Sequence, residues 1–85
     1  MWTVIAGKPV RRKLEKIPNL ERERLYKALK KLENGPENLD IKPMAGRDDY
    51  RFRVGKWRML IEIHEDEKFI FIRSLDSRGQ IYKDL

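Results

Sequence analysis

Apolar and polar residues alternate along residues 50–64, which read YRFRVGKWRMLIEIH, and the alternation is interrupted once, at Gly55 and Lys56. A period of two residues is typical of β-strands that bury one face. Glycine at the first position of a two-residue loop favours a type II′ turn, whose twist matches that of the flanking strands. We therefore predict a β-hairpin in which Val54 and Trp57 form the pair next to the turn.

The hairpin register separates the apolar side chains from the basic ones. Counting outward from the turn, Arg53 lies opposite Arg58, and Arg51 projects to the same side of the sheet. We call this side the arginine face. Two like charges directly opposite each other destabilise a strand pair by roughly a few tenths to 1 kcal/mol, so we expect an anion to bind there. The alternative is that these arginines are solvated side chains on the exposed face of an ordinary antiparallel sheet.

The rest of the chain has the periodicities of helices and of further strands. Apolar residues recur at helical spacing in two segments that are separated by Pro18, and the second segment ends at Gly35 and Pro36. The predicted elements are a strand at 2–6, helices at 8–17 and 19–34, an edge strand at 41–44, the hairpin, a strand at 68–74 and a last strand at 80–83. This order predicts an α+β fold, in which an N-terminal strand and an αα-hairpin precede a twisted antiparallel sheet, with the helices packed on one face of that sheet.

The acidic turn after the hairpin sets the register of the next strand. If Asp66 and Glu67 form the loop, Ile63 pairs with Ile70 and Ile61 with Ile72, so the apolar face continues beneath the helices. The predicted core consists of Tyr50, Phe52, Met59, Ile61, Ile70 and Ile72 together with Val10, Leu14, Leu25 and Leu29. Trp57 shares this apolar side, whereas Phe69, Phe71 and Arg73 join the arginine face.

Composition limits the kinds of function that are compatible with this fold. The 85 residues predict a single domain, 1–85, too small for a deep catalytic cavity. The chain has no cysteine and one histidine, so we expect no disulfide, no metal site and no cofactor. It has no apolar run of about 18 residues and no signal-peptide pattern, which predicts a cytoplasmic protein without a membrane segment.

The positive charge is concentrated in the predicted helices. The chain carries 20 Lys and Arg against 14 Asp and Glu, a net charge of +6, and residues 8–33 contain ten of these basic and four of these acidic residues. The helices therefore carry the whole net charge. Such a field favours an anionic partner, either nucleic acid or an acidic protein segment, although a solvated helix face is the simpler explanation for any single lysine.

Two segments resemble a known toxin family. The element order, the stretch YRFRVGKWRMLIEI, the acidic turn and the ending RSLDSRGQIYK resemble the RelE group of the RelE/ParE toxin superfamily. The resemblance covers essentially the whole chain, and its specific signals lie in residues 50–63 and 74–83. It implies the toxin of a type II toxin-antitoxin system, held inactive by a cognate antitoxin. The implied activity is that of a ribosome-dependent endoribonuclease, which cuts mRNA in the decoding site when a ribose 2′-hydroxyl attacks the adjacent phosphate.

The resemblance also implies roles for individual residues. Arg51 and Arg53 match two basic residues before the glycine turn, Arg58 would stabilise the phosphate, Arg78 would act at the leaving oxygen, and Tyr82 would orient the substrate or stack on it. Some members carry lysines at the positions of Arg51 and Arg53. Because a guanidinium is a poor proton acceptor, we expect these arginines to act by electrostatics and positioning. Further RNA-binding residues are expected at Lys42, Arg47, Lys56, Arg73 and Lys83.

Two other functions remain open at this point. The ParE branch of the superfamily shares the fold but acts by binding DNA gyrase, and an RNA-binding module without catalysis would need only the positive charge. The joint presence of Arg58, Arg78 and Tyr82 favours the nuclease.

Overall fold

The computed structural model describes residues 1–44 and 49–77 as two helices and five strands. The elements are β1 (Thr3–Ala6), α1 (Lys8–Lys16), α2 (Asn19–Leu32), β2 (Ile41–Pro43), β3 (Tyr50–Val54), β4 (Trp57–His64) and β5 (Phe69–Ser77). Their order is the predicted one, and β5 extends three residues beyond its predicted end. The last predicted strand, at 80–83, lies outside the described residues.

The five strands form one sheet in the order β1-β5-β4-β3-β2. All neighbouring strands are antiparallel except β1 and β5, which run parallel, with Thr3 paired with Phe69 and Ala6 with Ile72. The sheet is therefore mixed, whereas the sequence predicted an antiparallel one. A parallel pair needs a long crossover connection, and here the helices and strands β2 to β4 provide it.

The hairpin of β3 and β4 has the predicted register, with Val54 opposite Trp57 and Arg53 opposite Arg58. Gly55 has a φ of 57°, while Lys56 is not among the described residues with positive φ. Positive φ at the first central position alone is the pattern of a type II′ turn, because a type I′ turn needs it at both positions. The turn therefore fixes which side chains of the two strands share a face.

A β-bulge interrupts the pairing of β4 with β5. Ile63 pairs with Ile70 and Ile61 with Ile72, as predicted, but the next pair joins Leu60 to Ser74 and leaves Arg73 as an extra residue. An extra residue shifts every later pair by one position and thereby changes which side chains face the helices. Leu75 consequently lies opposite Met59 in the core, at 2 % exposure.

The core lies between the helices and one face of the sheet. Of the predicted core residues, Val10, Leu14 and Leu25 of the helices are buried, and Leu29 is half-buried. The predicted core residues of the strands are buried too, apart from Tyr50, which is half-buried. Within residues 1–44 and 49–77, the other buried apolar residues are Ile17, Ala28, Leu32 and Leu75. Within the part of the chain that the structure describes, neither helix is long and apolar enough to cross a membrane.

Candidate functional site

The arginine face is present in the structure and extends over three strands. Arg53 of β3 pairs with Arg58 of β4, and Arg51 lies two residues further along β3 on the same face. Lys42 of the edge strand β2 pairs with Arg51 and is exposed. The pairing thus brings four of the predicted site residues together on the side of the sheet that the helices leave uncovered.

The exposure of the three arginines differs sharply. Arg53 is exposed and Arg51 is half-buried, whereas only 1 % of Arg58 is exposed. A buried guanidinium is costly unless a counter-charge lies nearby, because burial removes its hydration. Arg58 is therefore the arginine of this face that most needs a nearby counter-charge.

A carboxylate lies on the other side of Arg58. Asp76 of β5 is the cross-strand partner of Arg58, so Arg58 sits between Arg53 and Asp76 in one row across the sheet. Asp76 Oδ1 in turn accepts a hydrogen bond from Lys13 Nζ of α1. The strand register therefore places a carboxylate of the protein itself beside Arg58, on the side away from Arg53.

Arg73 also lies on the arginine face, but two carboxylates already compensate its charge. Its Nη1 donates to both oxygens of Asp49, at 3.1 and 2.9 Å, and its Nε lies 3.5 Å from Glu62 Oε2. Asp49 is buried at 5 % exposure, while the side chain of Arg73 is 47 % exposed. The contacts favour a structural role for Arg73 at the centre of the face, in addition to any contact with RNA.

The opposite end of this face is aromatic. His64 Nε2 lies 3.1 Å from Glu62 Oε1, and the His64 ring stacks on Phe69 with a centroid distance of 5.3 Å. Phe71 continues the row, 6.5 Å from Phe69, and its partner on β1 is the exposed Ile5. The face therefore changes from cationic at β2 and β3 to apolar at β5 and β1.

Lys56 is directed away from the arginine face. Its Nζ lies 2.9 Å from Glu21 Oε1 of α2 and 5.7 Å from the ring centroid of Trp57. Trp57 itself is half-buried and packs against the core, as predicted. The remaining predicted site residues, Arg47, Arg78, Tyr82 and Lys83, lie outside the described residues.

Three residues of this region were not singled out from the sequence, namely Lys13, Asp49 and Asp76. Lys13 is one of many basic residues in the helices, and nothing in its spacing distinguishes it from the others. Asp76 could have been found only from the register of β4 with β5, which the bulge shifts. Among the described residues, no three His, Cys, Asp or Glu side chains form a group that could hold a metal ion.

The fold occurs in solved toxin structures. The archaeal RelE-RelB complex from Pyrococcus horikoshii matches with a TM-score of 0.77 and 27 % identity, over 93 % of this chain and 97 % of that one. The toxin-antitoxin complex RelBE2 from Mycobacterium tuberculosis matches with a TM-score of 0.80 and 24 % identity, over 91 % and 98 % of the two chains. A five-stranded sheet with two helices on one face is therefore the fold of RelE-type toxins.

Sequence comparison gives the family itself. The model of the family described as "ParE toxin of type II toxin-antitoxin system, parDE" matches residues 4–82. A curated protein of Methanocaldococcus jannaschii, named "Putative toxin RelE1", is 31 % identical over 87 residues, which span 98 % of this chain and 97 % of the relative. The chain belongs to the RelE/ParE superfamily of toxins from type II toxin-antitoxin systems.

Proposed function

We propose that this toxin is a ribosome-dependent endoribonuclease that cleaves mRNA in the decoding site. The observation that carries the proposal is the arrangement of Arg51, Arg53 and Arg58 on the face of the sheet opposite the helices, with Lys42 beside them. Guanidinium groups bind phosphate through paired hydrogen bonds. Arg53 and Arg58 form one cross-strand pair and Arg51 lies two residues further along β3, so the three groups fit an RNA backbone. Membership of the superfamily supports the assignment.

The proposed reaction is attack of a ribose 2′-oxygen on the adjacent phosphorus, which releases the 5′-oxygen of the next nucleotide and leaves a cyclic phosphate. Negative charge develops on the phosphate oxygens in the transition state. A cation that is already fixed in a buried position stabilises this charge without having to reorganise. Arg58, at 1 % exposure, has this character, while the exposed Arg53 contacts the RNA backbone from the solvent side.

Proton transfer is not a role for these arginines, because a guanidinium keeps its proton at any physiological pH. Arg51, Arg53 and Arg58 therefore contribute charge and position. The orientation of the 2′-oxygen comes in large part from the ribosome, since holding reactants in line lowers a barrier by several kcal/mol, up to about 7–11 kcal/mol in favourable cases. Arginines supply the positive charge at the phosphate, so we propose a metal-independent reaction. Arg78 and Tyr82 are the proposed partners at the leaving oxygen and the substrate base.

A cognate antitoxin is the proposed protein partner. The similar structures from Pyrococcus horikoshii and Mycobacterium tuberculosis are toxin-antitoxin complexes. This chain offers a basic helical layer and an arginine face to such a partner, and both attract acidic segments. An antitoxin that folds on binding covers extended surfaces of this kind. The proposed place of action is the cytoplasm, where translating ribosomes are found.

Primer extension on translated mRNA tests the nuclease. The native toxin should produce new 3′ ends within the codon at the decoding site, and Arg58→Ala should lower single-turnover cleavage by about 10² or more while ribosome binding falls far less. Lys27→Ala, on the exposed side of α2, is the matched control and should cleave within a factor of about 2–3 of the native toxin. Unchanged cleavage by Arg58→Ala would remove the role proposed for that residue.

The matching family model is described as a ParE toxin, and the ParE branch acts by binding DNA gyrase, so gyrase binding is a second candidate. The same preparations should therefore be tested for inhibition of gyrase supercoiling. Cleavage of mRNA without any effect on supercoiling supports the nuclease. Inhibition of gyrase by a protein that leaves translated mRNA intact would replace the nuclease with the gyrase-binding function.

A further inference from the structure

We propose that Asp76 is a positioning residue that orients the guanidinium of Arg58, that Lys13 holds the Asp76 carboxylate in place, and that the β-bulge at Arg73 brings Asp76 to this position. The inference rests on the proposed nuclease function, in which Arg58 stabilises the phosphate. It adds two residues to the candidate site that were not predicted from the sequence, Asp76 on β5 and Lys13 on α1.

The bulge decides which residue of β5 lies beside Arg58. Continuing the regular pairing of Ile61 with Ile72 along the strands would put Leu75 opposite Arg58. The extra residue at Arg73 moves Asp76 into that position instead and returns Leu75 to the core. Bulges are common next to active sites because they redirect side chains in this way. The core therefore gains an apolar residue, and the arginine face gains a carboxylate, from a single irregularity.

The end of β1 explains how a helix can reach Asp76. The β1 strand pairs with β5 only as far as Ile72, and no other strand of residues 1–44 and 49–77 pairs with the following residues of β5 on this side. The α1 helix follows β1 directly and packs against β5, which places Lys13 beside these residues. The side chains of Lys13 and Asp76 are 38 % and 21 % exposed, so the ion pair is partly shielded from water.

The row Arg53, Arg58, Asp76 and Lys13 keeps a net charge of +2. A carboxylate that paired with Arg58 alone would cancel the charge that a phosphate needs. Because Lys13 forms an ion pair with the carboxylate, a contact between Asp76 and the guanidinium would fix the direction of Arg58 while the row as a whole still attracts an anion. This division of labour resembles the way in which outer partners orient the groups that contact a substrate directly.

Single-turnover cleavage of mRNA on ribosomes, at saturating toxin, tests the inference. Asp76→Asn should lower the cleavage rate by about 10- to 100-fold with little change in the toxin concentration needed for half-maximal rate, since a misplaced catalytic group costs up to about 10². Asp76→Glu should recover part of the rate. Lys13→Met should lower it by a smaller factor, and Lys16→Met, one turn along the same helix, should leave it unchanged.

A double-mutant cycle separates positioning from a general structural effect. In an Arg58→Ala background, Asp76→Asn should add less than about a factor of 3, because the group that it orients is already gone. If Asp76→Asn lowers the rate by the same factor with and without Arg58, Asp76 does not act through Arg58 and the inference is wrong. Unchanged cleavage by Asp76→Asn and Lys13→Met would also overturn it.

A measurement on the free toxin keeps this inference separate from the proposed function. The guanidinium NMR signals of Arg58, assigned by comparison with Arg58→Lys, should be protected from hydrogen exchange in the native toxin and lose at least about tenfold in protection in Asp76→Asn, as ordering by the carboxylate is lost. Protection that is unchanged in Asp76→Asn would show that Asp76 does not hold Arg58. If the native toxin never cleaves mRNA, the nuclease proposal fails even where these signals behave as expected. If the variants fold poorly, the more exposed Lys13→Met still gives both readouts.

Discussion

Arg58 has the burial of a core residue but carries a guanidinium group. It lies at 1 % exposure beside another arginine, on the face of the sheet that the helices do not cover. Buried ionic groups contribute little to stability on balance, because desolvation offsets their mutual attraction. A protein selected for stability alone would have an apolar residue at this position, so the residue is better explained by its charge.

Replacing Arg58 by methionine tests this explanation directly. Arg58→Met keeps the volume and removes the charge. Asp76 still has Lys13 as its ion-pair partner and the repulsion between Arg53 and Arg58 is removed, so the free energy of unfolding should change by less than about 1 kcal/mol, while cleavage is lost. The neighbouring Met59, also at 1 % exposure, faces the core, and Met59→Ala should cost about 2–5 kcal/mol. Urea denaturation followed by circular dichroism measures both variants. A loss of stability for Arg58→Met as large as that for Met59→Ala would assign a structural role to Arg58.

At the same scale, the sequence predicted which residues share a face but not how buried each one is. Alternation places Arg51, Arg53 and Arg58 together because it is a local property of two strands joined by a short turn. The burial of Arg58 depends on residues outside the hairpin, among them its cross-strand neighbour Asp76 on β5. Those neighbours are distant in the sequence, and no periodicity reports them.

Among the elements, the type II′ turn has the clearest link between sequence and geometry. Gly55 occupies a position with a φ of 57°, where a side chain is strained even though a Cβ there would meet no atom within 4 Å. The strain is therefore a property of the backbone and not of crowding. Since this turn fixes the pairing of Arg53 with Arg58, its stability also bears on the site.

Gly55→Ala should lower the free energy of unfolding by about 1–2 kcal/mol, because an alanine at this φ is strained. Lys56→Ala is the neighbouring control. It removes the contact with Glu21, but the Lys56 side chain is 63 % exposed, so we expect a loss of less than about 0.5 kcal/mol. Thermal unfolding of the two variants gives the comparison. Equal losses in both would mean that the turn does not require glycine.

The strands and helices were predictable because each is a local pattern, whereas the bulge and the parallel pair were not. The bulge between Leu60 and Ile61 leaves no mark in the alternation of β4 itself. The structure explains the bulge by the position of Leu75, because Leu75 would lie on the arginine face if the strands paired without a bulge. The parallel pairing of β1 depends on which strand it lies beside and in which direction. The separate hydrophobic patterns of β1 and β5 do not contain this information.

For the molecule as a whole, charge is divided between its two sides. Residues 8–33 contain the two helices and carry the net charge of +6, so the remaining residues balance to zero. The helices pack on the side of the sheet opposite the arginine face. The long-range positive field therefore comes from the helical layer, while the chemistry that we propose takes place on the other side of the sheet.

Lys30, which is exposed on α2, tests this separation. Lys30→Gln should weaken ribosome binding by about two- to threefold at low salt. Because the variant releases fewer counterions on binding than the native toxin, its affinity depends less on salt, and the difference between the two affinities should shrink as salt rises. The rate of cleavage by bound toxin should not change. Titrations at several salt concentrations, followed by single-turnover cleavage, measure both quantities. A reduced rate of cleavage at saturating toxin would show that Lys30 belongs to the site and does not act through the long-range positive field.

The parallel pairing of β1 with β5 also has a consequence for the moment at which the toxin becomes complete. Thr3 pairs with Phe69, so both helices and strands β2 to β4 are synthesised between the two partners. Pairs that are so distant along the chain form late in folding, because the intervening chain must be ordered first. The part of the sheet that brings Lys13 close to Asp76 is therefore unfinished until β5 has been synthesised. A nascent toxin can assemble this part of the proposed site only after β5 has left the ribosome.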